Sequence, residues 1–238
     1  MGFLIFLAIV AGLIWLVFAK TDVMLKSMLP PAEKQIFKQR SAEQKQIMRY
    51  FVFGGCAGSG AMSDFEYDEK LKSFISRLNL KQKAINKIGL DESELTEIEP
   101  IKFENYFFDD GKTYTSYGKD GKIRSSAYQV SWVFATAKMV YLYQYTFNMD
   151  KDVKKEQMKD YFWKDITNFS STQETVETLK PAVQWFPPKV TMSKLNVEKS
   201  CFAMIVPGDK LECSMESNDA TEKSIRGMKS KLREMKGE

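Results

Sequence analysis

The 238-residue chain contains no histidine, so the usual general base of serine and cysteine hydrolases and the commonest zinc ligand are both missing. Its three cysteines, Cys56, Cys201 and Cys213, form no CxxC pair, which excludes a zinc ribbon and a thioredoxin-type redox motif. Neither charge sign is in large excess. Lys and Arg number 35 against 31 Asp and Glu, and the resulting net charge of +4 is too small to argue for nucleic acid. The glycine-rich segment Gly54 to Gly60 lacks the Lys-Ser/Thr that completes a P-loop and follows no strand pattern, so it reads as a linker. No cofactor, no metal site and no catalytic constellation is expected from these residues.

Charge is also missing locally. Gly2 to Ala19 is an eighteen-residue run without a charged or strongly polar side chain. As a helix it would reach about 27 Å, close to the hydrocarbon thickness of a bilayer, and it is predicted to be a transmembrane anchor. A cleaved secretory signal is the competing reading, although the run has no basic n-region and no small-x-small site before Lys20. Lys20, Lys26, Lys34, Lys38, Arg40, Lys45 and Arg49 follow it, against Asp22, Glu33 and Glu43. The positive-inside rule then predicts a single-pass protein of the cell membrane with the bulk of the chain cytoplasmic. In a reducing compartment Cys201 and Cys213, on either side of Pro207-Gly208-Asp209, are expected to be free thiols.

Four segments are predicted: the anchor over 1–19, a juxtamembrane helix and Gly-rich linker over 20–63, a small helical unit over 64–99 and a β domain over 100–238. Ala32 to Phe51 has a sparse apolar stripe and is expected to form an exposed helix or one lying on the membrane. Tyr67, Leu71, Phe74, Ile75 and Leu78 mark one face of a helix behind Ser63 or Asp64. Leu80, Ala84, Ile85 and Ile88 mark a second helix that stops at Gly89. Beyond Pro100 the period changes to two. Asp109-Asp110-Gly111 and Asp120-Gly121 are hairpin turns, Tyr128 to Phe134 alternates, and Tyr141, Tyr143 and Tyr145 share one strand face as a packing ladder. Asp160 to Thr167 is expected to be a strand, Thr172 to Lys199 an irregular loop, and the end of the chain an amphipathic helix with Ile225, Met228, Leu232 and Met235 on one face.

Several antiparallel strands closed by a C-terminal helix, with the strings Trp132 to Phe147 (WVFATAKMVYLYQYTF), Asp160 to Thr167 (DYFWKDIT) and the final strand-turn-strand-helix from Cys201 to Lys236, resemble the PH-like domains of uncharacterised bacterial membrane-anchored proteins. The resemblance implies an α+β fold: an N-terminal transmembrane helix, a small helical segment, then a PH-like antiparallel barrel closed by the C-terminal amphipathic helix. It also implies a non-catalytic binding or scaffolding role, with the lipid bilayer, anionic lipid head groups or a protein as partner. Basic residues around a hairpin turn hold phosphate in lipid-binding members, and Lys112, Lys119, Lys122 and Arg124 are the nearest match here. Convergent cations and turn amides are the physical basis of such a site. Two other readings stand beside it: a secreted or surface protein with a cleaved signal, and an enzyme using Cys56 as nucleophile.

Overall fold

A computed structural model describes residues 22–54, 61–91, 98–109 and 113–237, together with the single positions Phe6, Val10, Gly12 and Leu95. Among the described residues five helices precede the strands: α1 (Asp22–Met28), α2 (Pro31–Gln39), α3 (Ala42–Phe53), α4 (Asp64–Leu78) and α5 (Leu80–Ile88). Their ends are set locally. Ser41 and Ser63 each cap the following helix with a reciprocal box to Gln44 and Glu66. Gly89 ends α5 in the left-handed region at φ 77°, where a side chain would be strained.

Among the described residues the strands form three sheets. β1 (Ile101–Phe107), β4 (Ala127–Ala135), β5 (Met139–Asn148) and β6 (Lys154–Phe162) make an antiparallel sheet in the order β1-β4-β5-β6. β2 (Thr115–Tyr117) and β3 (Ile123–Ser125) are a separate hairpin. β7 (Asn168–Trp185), β8 (Pro188–Val206) and β9 (Asp209–Ser214) make the third. Between β8 and β9, Pro207 and Gly208 form a two-residue turn in which Gly208 takes φ 81°. The last helix, α6 (Asp219–Lys236), is capped by Asn218 and buries Ile225, Met228 and Leu232.

Alternation along β4 and β5 decides the layering. Val130, Phe134, Tyr143, Tyr145 and Phe147 face the helices and share a core with Phe37, Ile47, Tyr50, Phe51, Tyr67 and Leu71. Val133, Val140 and Leu142 face the other way, into a second core with Phe103, Phe169, Phe202, Met204, Ile225 and Leu232. The four-stranded sheet is therefore a middle layer between the helices and the β7-β8-β9 sheet. The tyrosine row is where α5 docks: Lys83 lies 4.9 Å from the Tyr145 ring centroid, and Tyr143 Oη donates to Glu156 at 2.7 Å. Lys83 and Lys87 pair with the same carboxylate at 3.0 and 2.9 Å.

Glu156 gives a test of this contact. Burial raises its pKa, but hydrogen bonds from Tyr143, Lys87 and Lys83 outweigh burial and hold it at about 2, below the ordinary 4.5. A depressed folded-state value stabilises the fold above the unfolded pKa, and that stabilisation is lost as pH falls through the folded one. Glu156→Gln is thus expected to flatten the decline of unfolding free energy from pH 4.5 down to about 2, measured by denaturant titration at each pH. An unchanged acid limb would show that the carboxylate is not held by this network.

Several expectations are corrected. Of the run expected to be a membrane anchor, 2–19, all but Phe6, Val10 and Gly12 lie outside the described residues, as do Cys56 and the linker at 55–60. Among the described residues no helix is long and apolar enough to cross a membrane. Even the eighteen-residue α6 carries charged residues along its length and buries only one face. Among the described residues the expected transmembrane, single-pass α+β fold is accordingly replaced by a mixed helix and sheet fold in which no helix is long and apolar enough to cross a membrane. Among the described residues no closed barrel forms either, because β1 and β6 are the edge strands of one sheet and β7 and β9 of another, with only an isolated bridge from Tyr114 to Leu179 of β7 beyond them. The helix expected over Ala32 to Phe51 is two helices that meet at Arg40 and Ser41, and instead of lying exposed they bury Phe37, Ile47, Tyr50 and Phe51. The break is held by Arg40, 6% exposed, which donates to the backbone carbonyl and the carboxylate of Asp150 at 2.8 and 2.9 Å. Asp160 to Thr167 ends β6, makes a 3-10 turn over Trp163–Asp165 and leads into β7. Thr172 to Lys199 is no irregular loop but most of the longest hairpin in the fold.

Candidate functional site

The β7-β8-β9 sheet covers only part of the middle sheet, and the uncovered part is polar. Register places Ile101, Val133, Leu142 and Lys159 in one row across β1, β4, β5 and β6. Phe103, Ser131, Gln144 and Gln157 form the next row, and Asn105, Gln129, Thr146 and Lys155 the third. Apolar side chains thus give way to amides and hydroxyls along one face. β9 lies across this transition, held by its main chain. Gln144 Nε2 donates to Glu212 O at 2.7 Å, Ser214 N donates to Gln129 Oε1 at 2.7 Å, and Asn105 Nδ2 donates to Met215 O at 2.8 Å. Edge strands expose unpaired backbone groups, and here three side-chain amides satisfy them.

Beside β9 the polar face opens as a groove of about 710 Å³. Gln144, Thr146 and Gln157 supply its floor, and Lys151, Lys155, Lys159, Lys199 and Lys210 its rim, with Asp109 and Glu212 as the acidic lining residues. With the carboxylates of Asp209 and Glu174, which pair with two of these lysines, five cations meet four anions and a small excess of positive charge remains. Lys199 pairs with Glu174 and Lys210 with Glu212, each at 2.5 Å, and Lys159 pairs with Asp209, which also accepts from Tyr161 Oη at 3.1 Å. Lys155 has no ion-pair partner among the described residues. Hydrogen bonds to Asp209 and Glu212 raise the pKa of Lys159 and Lys210. Burial lowers that of Lys199, but the Glu174 carboxylate outweighs it and the net shift is upward. Ammonium groups held this way donate hydrogen bonds and supply charge; they are not the neutral amines that Schiff-base or base catalysis requires.

The residues proposed from the hairpin turn are placed differently. Lys112 lies outside the described residues, while Lys119 and Lys122 are exposed at the β2-β3 turn. Arg124 is 1% exposed and its guanidinium points into carboxylates. It grips Asp68 with two bonds of 2.8 and 2.7 Å and Asp120 with two of 2.9 and 2.8 Å, and Asp64 stands 4.0 Å away. Arg124 holds the carboxyls of Asp68 and Asp120 below the usual carboxylate range. Tyr50 and Tyr106 donate to Asp64 and Asp68 at 2.8 and 2.9 Å, tying α3 and β1 to the same cluster. Gly118 belongs to it too, because a Cβ there would fall onto the Arg124 guanidinium and the Asp120 carboxylate. Of the described residues among the four, Arg124 is thus committed to the carboxylate cluster while Lys119 and Lys122 stay on the exposed turn.

Cys201 and Cys213 are both buried thiols. They sit opposite Ser214 and Phe202, one register step apart, so their side chains lie on opposite faces of the sheet. Burial pushes Cys213 up to about 12, which keeps it protonated and unreactive. Among the described residues no group of three or more acidic or cysteine side chains could hold a metal ion. The groove had one sequence signal, the alternation of Lys155, Gln157 and Lys159 along a single strand face. No family model, curated protein or solved structure matches this chain.

Proposed function

We propose that this chain is a non-catalytic binding module that holds an anionic ligand, bearing carboxylate or phosphate, in the groove between β6 and β9. The carrying observation is the row of five lysines on its rim, of which Lys159, Lys199 and Lys210 share their charge with Asp209, Glu174 and Glu212 while Lys155 makes no ion pair among the described residues, above a floor of amides and a hydroxyl. Charge-assisted hydrogen bonds from ammonium groups are the strong contacts available to an anion, and Gln144, Gln157 and Thr146 can satisfy its remaining lone pairs. Raised pKa values at Lys159, Lys199 and Lys210 favour holding an anion over attacking it. The absence of histidine from the whole chain supports the same reading. A binding role is also what the resemblance to PH-like domains implied, and it does not depend on a barrel.

Calorimetric titration of the full-length chain with pyrophosphate and, separately, with citrate tests the proposal and distinguishes the two anion types. At least one is expected to bind. A Lys155→Gln, Lys159→Gln double substitution should weaken that binding by about a hundredfold, since each hydrogen bond to a charged group contributes about 1.5–3 kcal/mol. Rising salt should weaken it further. Failure of both anions to bind, or equal affinity in the double variant, would overturn the assignment.

A further inference from the structure

The β7-β8 hairpin is far longer than the sheet it belongs to. Its strands run eighteen and nineteen residues and pair without interruption from Asn168 opposite Ile205 to Trp185 opposite Pro188. The base sits in the inner core through Phe169, Phe202 and Met204. The distal half leaves that sandwich and leans on the helices, with Val183, Val190 and Met192 against the core that contains Leu25, Met28 and Phe51. Beyond them only the tip remains, Trp185-Phe186-Pro187-Pro188, and it touches water: Phe186 is 91% exposed and Trp185 45%.

This composition is unusual for a turn. Two-residue hairpin loops are ordinarily Asn-Gly, Asp-Gly or Gly-Gly, chosen for backbone freedom and solvation. Here the connection is Phe-Pro between Trp and Pro, apolar and stiff. Charge around it is of one sign: residues 178–197 contain Lys180, Lys189 and Lys194 and no acidic residue. Lys194 pairs with Glu177 at 2.6 Å, well behind the tip, and Lys180 lies 5.7 Å from the ring centroid of Tyr117, itself 45% exposed. Lys189 is one register step from the tip pair, opposite Gln184.

We propose that this tip is a lipid-surface wedge: Phe186 and Pro187 enter the acyl boundary of an anionic lipid layer, Trp185 lies at head-group depth and Lys189 meets lipid phosphates, while Lys180, five residues back along the strand, and Tyr117 beside it stay above the layer, where the Lys180 charge still attracts it. Aromatic rings with a polar edge partition to that depth, and an apolar projection ringed by lysines binds by buried area together with attraction to anionic head groups. The run of lysines without a carboxylate selects an anionic lipid layer over a protein surface of mixed charge. Proline at the loop means that little backbone entropy is lost on insertion.

Tryptophan quenching tests it. The full-length chain is mixed with vesicles of phosphatidylcholine and phosphatidylserine whose acyl chains carry bromine, a contact quencher. The part of the quenching that comes from Trp185 should disappear in Trp185→Phe, a substitution at an exposed site that keeps the fold, so the variant should be quenched less than the parent chain. In Phe186→Ser the quenching of Trp185 should require roughly tenfold more lipid, from the loss of most of one phenyl ring's transfer from water. Lys189→Gln should require about fivefold more, and pure phosphatidylcholine should give weaker quenching in every variant. Identical quenching in the parent chain and Trp185→Phe would overturn the proposal, because the tip would then remain in water whatever other part of the chain touched lipid. So would quenching of Trp185 that does not respond to Phe186→Ser.

Discussion

Replacing Arg124 by methionine is expected to lower the unfolding free energy by about 3 kcal/mol at neutral pH, the lower end of the cost of removing one partner from a buried ion pair. The side chain is 2% exposed and joins three elements: α4 through Asp68, the β2-β3 turn through Asp120, and β3, which carries it. Methionine fills much of the volume but leaves Asp64, Asp68 and Asp120 facing one another without a cation. Part of the penalty is relieved because Asp68 and Asp120 keep 31% and 39% of their side-chain surface and can hydrate, which places the figure at the low end. The pH dependence carries the diagnosis. In the parent protein the Arg124 guanidinium lowers the pKa of Asp68 below 3.8, so its contribution is complete above that pH and is lost on acidification. In the variant the three carboxylates repel, their folded-state values rise above the unfolded ones, and the fold gains stability as they protonate. The difference between the two proteins should therefore shrink as pH falls below about 4, measured by denaturant midpoints with m-values compared. A difference independent of pH would mean that Arg124 acts through packing alone.

What could be read from the residues was whatever is set within one turn or one strand. The stripe Tyr67, Leu71, Phe74, Ile75 and Leu78, the Ser63 cap and the Gly89 stop are local, and α4 and α5 occupy those positions. The same holds for the alternation in β4, the tyrosine row of β5 and the turns at Gly121 and Gly208. Long pairings were not legible. Pro181 and the Trp185-Phe186-Pro187-Pro188 cluster argue against strands when read alone, yet β7 is an edge strand, the place in a sheet where proline is tolerated. Its partner strand supplies the order that propensity does not. Arg124 shows the same limit from the side of chemistry. Its position beside a basic turn and four residues from Asp120 was visible, but the other carboxylate that claims it, Asp68, is 56 residues away. Arg40 likewise read as one more juxtamembrane cation, and its partner Asp150 is 110 residues on. The groove draws Lys155 and Lys159 from β6, Lys199 from β8 and Lys210 from β9, and only the packing of two sheets places them around one space.

That packing rests on Phe202, and Phe202→Ala is expected to cost about 3–5 kcal/mol, the range for emptying a fully buried phenylalanine site. The ring is inaccessible to solvent and lies between the two sheets, stacked on Phe103 at 4.5 Å with an interplanar angle of 9° and near Phe169 at 5.8 Å. Phe103 is on β1 and Phe169 on β7, so one side chain bridges both layers. Its directly paired neighbour across β8 and β9 is Cys213, whose flanking residues Glu212 and Ser214 are those fixed by Gln144 and Gln129. Loss of the ring should loosen β9 along with the core, and anion binding in the groove should fall together with stability, read by calorimetry and thermal denaturation on the same samples. Lys155→Gln separates the two quantities, since it touches an exposed side chain and should leave stability within about 0.5 kcal/mol while weakening the anion. If Phe202→Ala lost stability but bound pyrophosphate or citrate as before, the groove would not depend on how the sheets dock, and the lysines of β6 alone would have to account for it.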